Sequence, residues 1–176
     1  MTARERREAT GEVLLEGDRA TLVFRRRYGH PPETVWRALT DPSELRGWYM
    51  TKATIEGREG GAVDFHAGPS QLHVTGRIRT WDPPRVFEHE WNVDPHPALP
   101  SGERAVIRWE LQRDGVGTIL WLRHENLRRL TALGFAPGTH AFLDRLEAHL
   151  NAQPLPDWQA RFAQVAPQYP PSGVSR

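Results

Sequence analysis

Two histidines stand where they could do chemistry inside the protein, because each falls on the apolar side of a predicted strand. RVFEHEW alternates His89 with Phe87 and Trp91, and TILWLRH places His124 two residues after Leu122. An inward histidine can orient a bound ligand or act as a general acid or base. A histidine on an apolar strand face is more often only hydrogen-bonded to a local group. Both interpretations stay open at this point.

One arginine and two further histidines are the other candidates for polar chemistry. Arg26 shares a face of the strand TLVFRRRY with Leu22 and Phe24, so it could bind the anionic end of a ligand. An ion pair with a carboxylate of the short helices that follow is favoured over that role. His66 and His73 lie in neighbouring predicted strands, but the spacing designates no third ligand. Neither a metal site nor any other cofactor is therefore predicted.

The sequence carries none of the common catalytic signatures, and the residues favour binding over catalysis. A nucleophile elbow, a phosphate-binding loop, a zinc-protease motif and a dinucleotide fingerprint are all missing. The absence of cysteine excludes disulfides and thiolate chemistry. The 23 basic and 22 acidic residues intermix, which argues against a nucleic-acid partner. No apolar run is long enough to cross a membrane, and we expect a cytoplasmic protein with no membrane partner.

Seven tryptophans are the most informative part of the composition. Each buries a large area, so several must meet in the interior or line a cavity. Trp91 and Trp109 fall on the inward faces of neighbouring predicted strands, where cross-strand packing and pocket lining are equally consistent with the pattern. Trp121 points to the opposite face. An exposed patch there would suggest a homodimer contact or a contact with the C-terminal residues 153–176.

The order of predicted elements is a strand, two short helices, further strands and a long helix. PPETVWRALTDPSELRGW contains two segments of about two helical turns, separated at Asp41 because the residue before Pro42 is pushed out of the helical region. Six antiparallel strands follow, without intervening helices. Residues 139–150 have helical periodicity, and a shorter amphipathic segment comes after Pro156. Residues 1–18 are polar and are predicted to be a flexible tail.

With these elements in place, the chain resembles the START-like SRPBCC superfamily, and specifically its branch named after the activator of heat-shock-protein ATPase. The resemblance rests on HPPETVWRALTDPSELRGW, WDPPRVFEHEW, GVGTILWLRHENL and FLDRLEAHL. It implies an α+β helix-grip fold, in which a curved seven-stranded antiparallel sheet grips a long C-terminal helix and the two short helices lie between strands 1 and 2. The domain would span residues 19–152, followed by a C-terminal extension at 153–176 that contains a short amphipathic helix.

This fold implies a cavity between the sheet and the long helix, since a sheet curled around one helix leaves space unless large side chains fill it. By alternation, the candidate ligand-binding residues are Phe65, Ile78, Phe87, His89, Trp91, Ile107, Trp109, Leu111, Leu120, Leu122 and His124, facing Phe142, Leu143 and Leu146, with Arg26 as a further polar anchor. The function we expect is binding of a small, mostly hydrophobic molecule. The resemblance leaves two alternatives open, a cyclase- or hydrolase-like enzyme that uses the same cavity and a chaperone-associated or other protein-interaction module.

Overall fold

The computed structural model describes residues 10–66, 68, 70–97 and 99–171. Within these residues the chain forms one antiparallel sheet with the strand order β1-β2-β8-β7-β6-β5-β4-β3. The strands are β1 (Glu12–Glu16), β2 (Arg19–Tyr28), β3 (Lys52–Ile55), β4 (Ala62–His66), β5 (His73–Asp82), β6 (Val86–Val93), β7 (Glu103–Asp114) and β8 (Gly117–Arg128). The helices are α1 (Pro32–Thr40), α2 (Pro42–Trp48), α3 (Arg129–Leu150) and α4 (Trp158–Val165), with a 3-10 turn at Ala166–Gln168. The predicted helix-grip architecture is confirmed.

The sheet has eight strands rather than the predicted seven, because part of the expected N-terminal tail is a strand. β1 pairs with β2 from Glu12 opposite Val23 to Glu16 opposite Arg19. The prediction of a flexible tail over residues 1–18 is therefore wrong for β1, while residues 1–9 lie outside the described part of the chain. An edge strand with charged ends and mostly exposed side chains has no buried face that alternation could reveal.

The two short helices meet at Asp41, whose extended backbone interrupts the helical path. The Asp41 carboxylate caps α2 by accepting hydrogen bonds from the backbone N–H of Ser43 at 2.7 Å and from its hydroxyl at 2.5 Å. Glu44 occupies the position that a capping box would use, yet it pairs with His149 of α3, with an oxygen-to-Nε2 distance of 2.7 Å. Asp41 is thus the N-cap of α2, while Glu44 binds the long helix.

Trp48 fixes the angle between the short helices and also attaches them to α3. Its side chain is fully buried, and the indole N–H donates to the carbonyl of Ala38 in α1 at 3.0 Å. The Arg145 guanidinium of α3 in turn donates to the Trp48 carbonyl at 2.8 Å. One residue therefore connects all three helices.

Replacing Trp48 with phenylalanine should lower the free energy of unfolding by about 1–2 kcal/mol, because the change removes one buried hydrogen bond and leaves unfilled volume. Urea denaturation monitored by circular dichroism measures the effect. The matched control is Trp121→Phe at a partly exposed position on the opposite face of the sheet, where a change below about 0.5 kcal/mol is expected. Equal effects of the two substitutions would contradict the role assigned to Trp48.

The long helix is ten residues longer at its N-terminus than the predicted segment 139–150. α3 begins at Arg129 and continues through Pro137, which has no N–H to donate within the helix. Gly138 follows it because α4 approaches closely there. A Cβ atom at Gly138 would lie 3.1 Å from Cζ2 of Trp158, and the Trp158 indole donates to the Gly138 carbonyl at 3.2 Å.

The segment after α3 belongs to the same hydrophobic core as the rest of the fold. Val165 is fully buried, and Tyr169 is nearly so. The Tyr169 hydroxyl accepts a hydrogen bond from the backbone N–H of Gly11 at 3.0 Å and lies within hydrogen-bonding distance, 2.8 Å, of Nδ1 of His140. Both ends of the described chain are thereby held against α3. None of the described helices has the length and apolar character needed to cross a membrane.

Candidate ligand-binding site

A cavity of about 270 Å³ lies between the concave face of the sheet, α3 and α4. Its walls are mostly aromatic and aliphatic, with a few hydroxyl and ring nitrogen groups. The lining residues are Tyr49, Ser70, Leu72, Trp91, Leu99, Ile107, Trp109, Leu122, His124, Gly134, Phe135, Gly138, Thr139, Phe142, Leu143, Trp158 and Phe162. The cavity is therefore not filled by the tryptophans that surround it.

The structure divides the predicted ligand-binding residues into three groups. The cavity is lined by seven of them, namely Trp91, Ile107, Trp109, Leu122, His124, Phe142 and Leu143. A separate void of only about 10 Å³, barely enough for one water molecule, is lined by Phe65, Phe87 and His89 together with Trp91 and Trp109. Neither space is lined by the remaining five, Arg26, Ile78, Leu111, Leu120 and Leu146, which are buried elsewhere in the core.

Several lining residues were not predicted, because they lie outside the strands and the predicted helix. Trp158 and Phe162 of α4 form one wall, and the Trp158 ring packs on Phe142 with the ring centroids 5.4 Å apart. Their spacing of four residues marked an amphipathic helix without showing where it packs. Phe135 sits in the Gly- and Pro-containing first half of α3, and Tyr49 follows the end of α2. Periodicity carries no information about such positions.

His124 and Trp91 each bring a buried ring nitrogen to the cavity wall. Their rings meet edge to face with centroids 5.1 Å apart. Within the described residues, neither His124 Nε2 nor Trp91 Nε1 has a hydrogen-bond partner. Burial lowers the pKa of His124 to about 3, and His89 contributes a smaller repulsion. The His124 imidazole is therefore neutral at physiological pH and can both donate and accept.

His89 differs from His124 because its backbone supplies a partner. Nδ1 of His89 lies 2.7 Å from the carbonyl oxygen of Glu90, and since a carbonyl only accepts, Nδ1 carries the proton. Burial lowers the pKa of His89 to about 4 despite this bond. Of the two interpretations of the inward histidines, the local hydrogen bond describes His89, while His124 remains available to a ligand.

Arg26 faces the long helix rather than the short helices. Its guanidinium lies 3.7 Å from the carboxylate of Asp144 in α3, which also pairs with Arg161 of α4 at 2.6 Å. The predicted ion pair with the short helices is therefore wrong, because the inward face of β2 lies against α3. His140 completes this group, with Nε2 3.5 Å from Asp144. Burial and the nearby Arg26 charge lower the pKa of His140 to about 4.

A second polar cluster lies on the outer face of the sheet, away from the cavity. The imidazoles of His66 and His73 stack with centroids 4.1 Å apart, and their Nε2 atoms lie 3.3 and 3.1 Å from one oxygen of Asp64. Asp64 is thus the third potential metal ligand that the sequence did not designate. All three side chains are about half exposed, and hydrogen bonding to Asp64 accounts for the arrangement.

A curved antiparallel sheet that grips a long helix over an apolar cavity defines a helix-grip protein of the START-like class. Residues 29–151 match the family model described as activator of Hsp90 ATPase homolog 1-like protein. The chain belongs to this family. No curated protein matches its sequence.

Solved structures with the same fold include proteins from several bacteria. The crystal structure of CalU16 from Micromonospora echinospora aligns with a TM-score of 0.68 and 23% identity over 91% of this chain and 92% of that one. Protein MLL2253 from Mesorhizobium loti gives a TM-score of 0.66 and 26% identity over 77% and 99% of the two chains. DynU16 is described as a putative protein in the dynemicin biosynthetic locus. It aligns with a TM-score of 0.66 and 17% identity over 81% of this chain and 51% of its own.

Proposed function

We propose that this protein binds a small, mostly apolar molecule in the cavity between the sheet and α3. The observation that carries the proposal is the cavity itself, about 270 Å³ of space with largely aromatic walls between the sheet and the helices. Protein interiors are normally filled to the density of organic crystals. Ligand sites are typically concave, apolar and supplied with a few polar groups, which is the composition seen here.

The volume indicates the size of the ligand. An engineered apolar cavity of about 150 Å³ holds benzene, so a cavity of about 270 Å³ can accept a molecule of two or three fused rings. Trp91, Trp109 and Trp158 offer flat surfaces against which such rings can pack at aromatic contact distances. The described location of DynU16 in a biosynthetic locus is compatible with a small-molecule ligand, as an analogy at the level of the fold.

Native mass spectrometry of protein purified without detergent tests the proposal directly. We expect a reproducible additional mass that disappears when the protein is denatured, or binding of compounds from an aromatic panel after the protein has been stripped and refolded. Absence of the additional mass, together with no binding of any panel member, would contradict ligand binding.

Filling the rim of the cavity should block binding without loss of stability. Gly134 contributes to the lining, is exposed, and has no atom within 4 Å of where a Cβ would stand. Gly134→Leu should weaken binding of a panel compound at least tenfold. Gly134→Ala, the matched control, should leave binding within about twofold. Both substitutions should raise the free energy of unfolding by about 0.5–1 kcal/mol, because glycine inside a helix is unfavourable. Tight binding by a folded Gly134→Leu variant would place the ligand elsewhere.

A further inference from the structure

We infer that the ligand carries an uncharged oxygen, a hydroxyl or carbonyl on an otherwise apolar ring skeleton, and that Trp91 and His124 bind this oxygen together. The inference rests on the proposed function, since it assigns the polar end of the molecule held in the same cavity. It goes further by naming the chemical group that is recognised and the two residues that recognise it.

The first step is the pair of unsatisfied nitrogens. Buried polar atoms in folded proteins almost always have a partner, and an unpaired one is costly. Trp91 Nε1 and His124 Nε2 are both shielded from water, and both lack a partner among the residues that the structure describes. They belong to rings in edge-to-face contact, so two unsatisfied groups occur side by side in one cavity wall. Both nitrogens have almost no accessible surface in the structure, so a polar atom in the cavity reaches them only after the two side chains turn toward it. In that arrangement one polar atom would satisfy both.

The second step is the chemistry of these two groups. The indole N–H of Trp91 only donates, so the ligand atom that meets it must be an acceptor. A neutral imidazole both donates and accepts, and its ring can turn about χ2, because this torsion is broad, to present either nitrogen. A hydroxyl oxygen can accept from Trp91 and give its hydrogen to His124. A carbonyl oxygen can accept from both rings.

The third step is the exclusion of charge. A carboxylate in this cavity would need a cation, since an isolated buried charge is strongly disfavoured. The buried arginine of the core, Arg26, is directed at Asp144 and does not line the cavity. Burial keeps the pKa of His124 low, so this residue supplies no positive charge at neutral pH. The oxygen that is recognised is therefore neutral.

Four probes that share one ring system test the inference at pH 7.5, namely naphthalene, 2-naphthol, 2-acetonaphthone and 2-naphthoate. Their affinities are measured by equilibrium dialysis with chromatographic quantification of the free probe. At least one neutral oxygen compound should bind tenfold or more tightly than naphthalene, and 2-naphthoate should bind at least tenfold more weakly than that compound. Preference for 2-naphthol over the ketone would show His124 as the acceptor, and preference for the ketone would show His124 as a donor.

Trp91→Phe removes the indole nitrogen and His124→Phe removes both imidazole nitrogens, and each variant keeps an aromatic ring. In each folded variant, the affinity for the neutral oxygen compound should be no more than about threefold higher than the affinity for naphthalene. The ratio of the two affinities cancels any general effect of changed cavity volume. A ratio that stays at the wild-type value in both variants would overturn the inference and assign the oxygen to a hydroxyl such as that of Ser70 or Thr139.

The failure of this inference can be distinguished from the failure of the proposed function. If naphthalene binds as tightly as both neutral oxygen compounds, or if 2-naphthoate binds most tightly, the cavity is a ligand site but does not select a neutral oxygen. The inference is then wrong, while the proposed function stands. If none of the four probes binds to wild-type protein that is shown to be free of an endogenous occupant, the inference falls together with the proposed function.

Discussion

Truncation after Gln153 is expected to lower the free energy of unfolding by at least about 3 kcal/mol. The removed segment includes Val165 and Tyr169, both buried in the main core, and each large apolar side chain contributes about 1.5–3 kcal/mol when buried. It also includes Arg161, whose removal would leave Asp144 with fewer partners near Arg26. Urea denaturation of the full and shortened chains measures the difference.

The control for this truncation is Gln159→Ala, which alters an exposed side chain on the same helix. We expect it to leave stability within about 0.5 kcal/mol of the wild type. The shortened protein should also lose the ligand binding that we propose, because Trp158 and Phe162 form one wall of the cavity. A truncated protein with unchanged stability and binding would show that the segment is a dispensable appendage.

Mild acid should destabilise the protein steeply, through three buried histidines that stay neutral in the folded state. Burial lowers the pKa of His89 and His140 to about 4 and that of His124 to about 3. In the unfolded chain these residues have an ordinary pKa near 6.5, so only the unfolded state takes up protons as the pH falls below that value. The free energy of unfolding therefore decreases from about pH 6.5 down to about pH 4, by up to about 1.4 kcal/mol per pH unit for each histidine.

Urea titrations at pH 7.5, 6.5, 6.0, 5.5 and 5.0 measure this slope before most carboxylates begin to titrate. His124→Phe should remove the contribution of one proton from the slope, and Trp121→Phe, which changes no titratable group, should leave the slope as in the wild type. The same His124→Phe variant should be more stable than the wild type in the ligand-free state, because it removes an unsatisfied buried nitrogen. A slope unaffected by His124→Phe would contradict the neutral state assigned to this residue.

The sequence predicted the architecture well because period and turn chemistry are local properties. The Asp41-Pro42 break and the alternation along β6, β7 and β8 are visible in the residues themselves. The strand at Glu12–Glu16 was missed because an exposed edge strand has no buried face. The first half of α3 was missed because Gly134, Pro137 and Gly138 resemble a helix break, whereas contact with Trp158 favours a glycine at position 138.

The candidate site was predicted only in part, because alternation identifies the inward face but not the space above it. Ile107 and Leu120 are both buried and inward, yet only Ile107 borders the cavity. Whether a gap remains depends on how α4 packs on α3, which is a tertiary relationship. The same limit explains Arg26, whose inward direction was predicted correctly and whose partner, Asp144, lies 118 residues further along the chain by their numbering.

The positions of the tryptophans should allow intrinsic fluorescence to report whether a molecule occupies the cavity. Trp91, Trp109 and Trp158 border the cavity, whereas Trp48 is sealed between the helices and Trp121 is on the outer face. The emission of an indole responds to molecules in contact with it, so an occupant would alter the signal of the first three and leave the others as an internal reference. Entry of an unlabelled compound could thus be followed in real time, and replacing the three bordering indoles one by one would show which wall the compound touches.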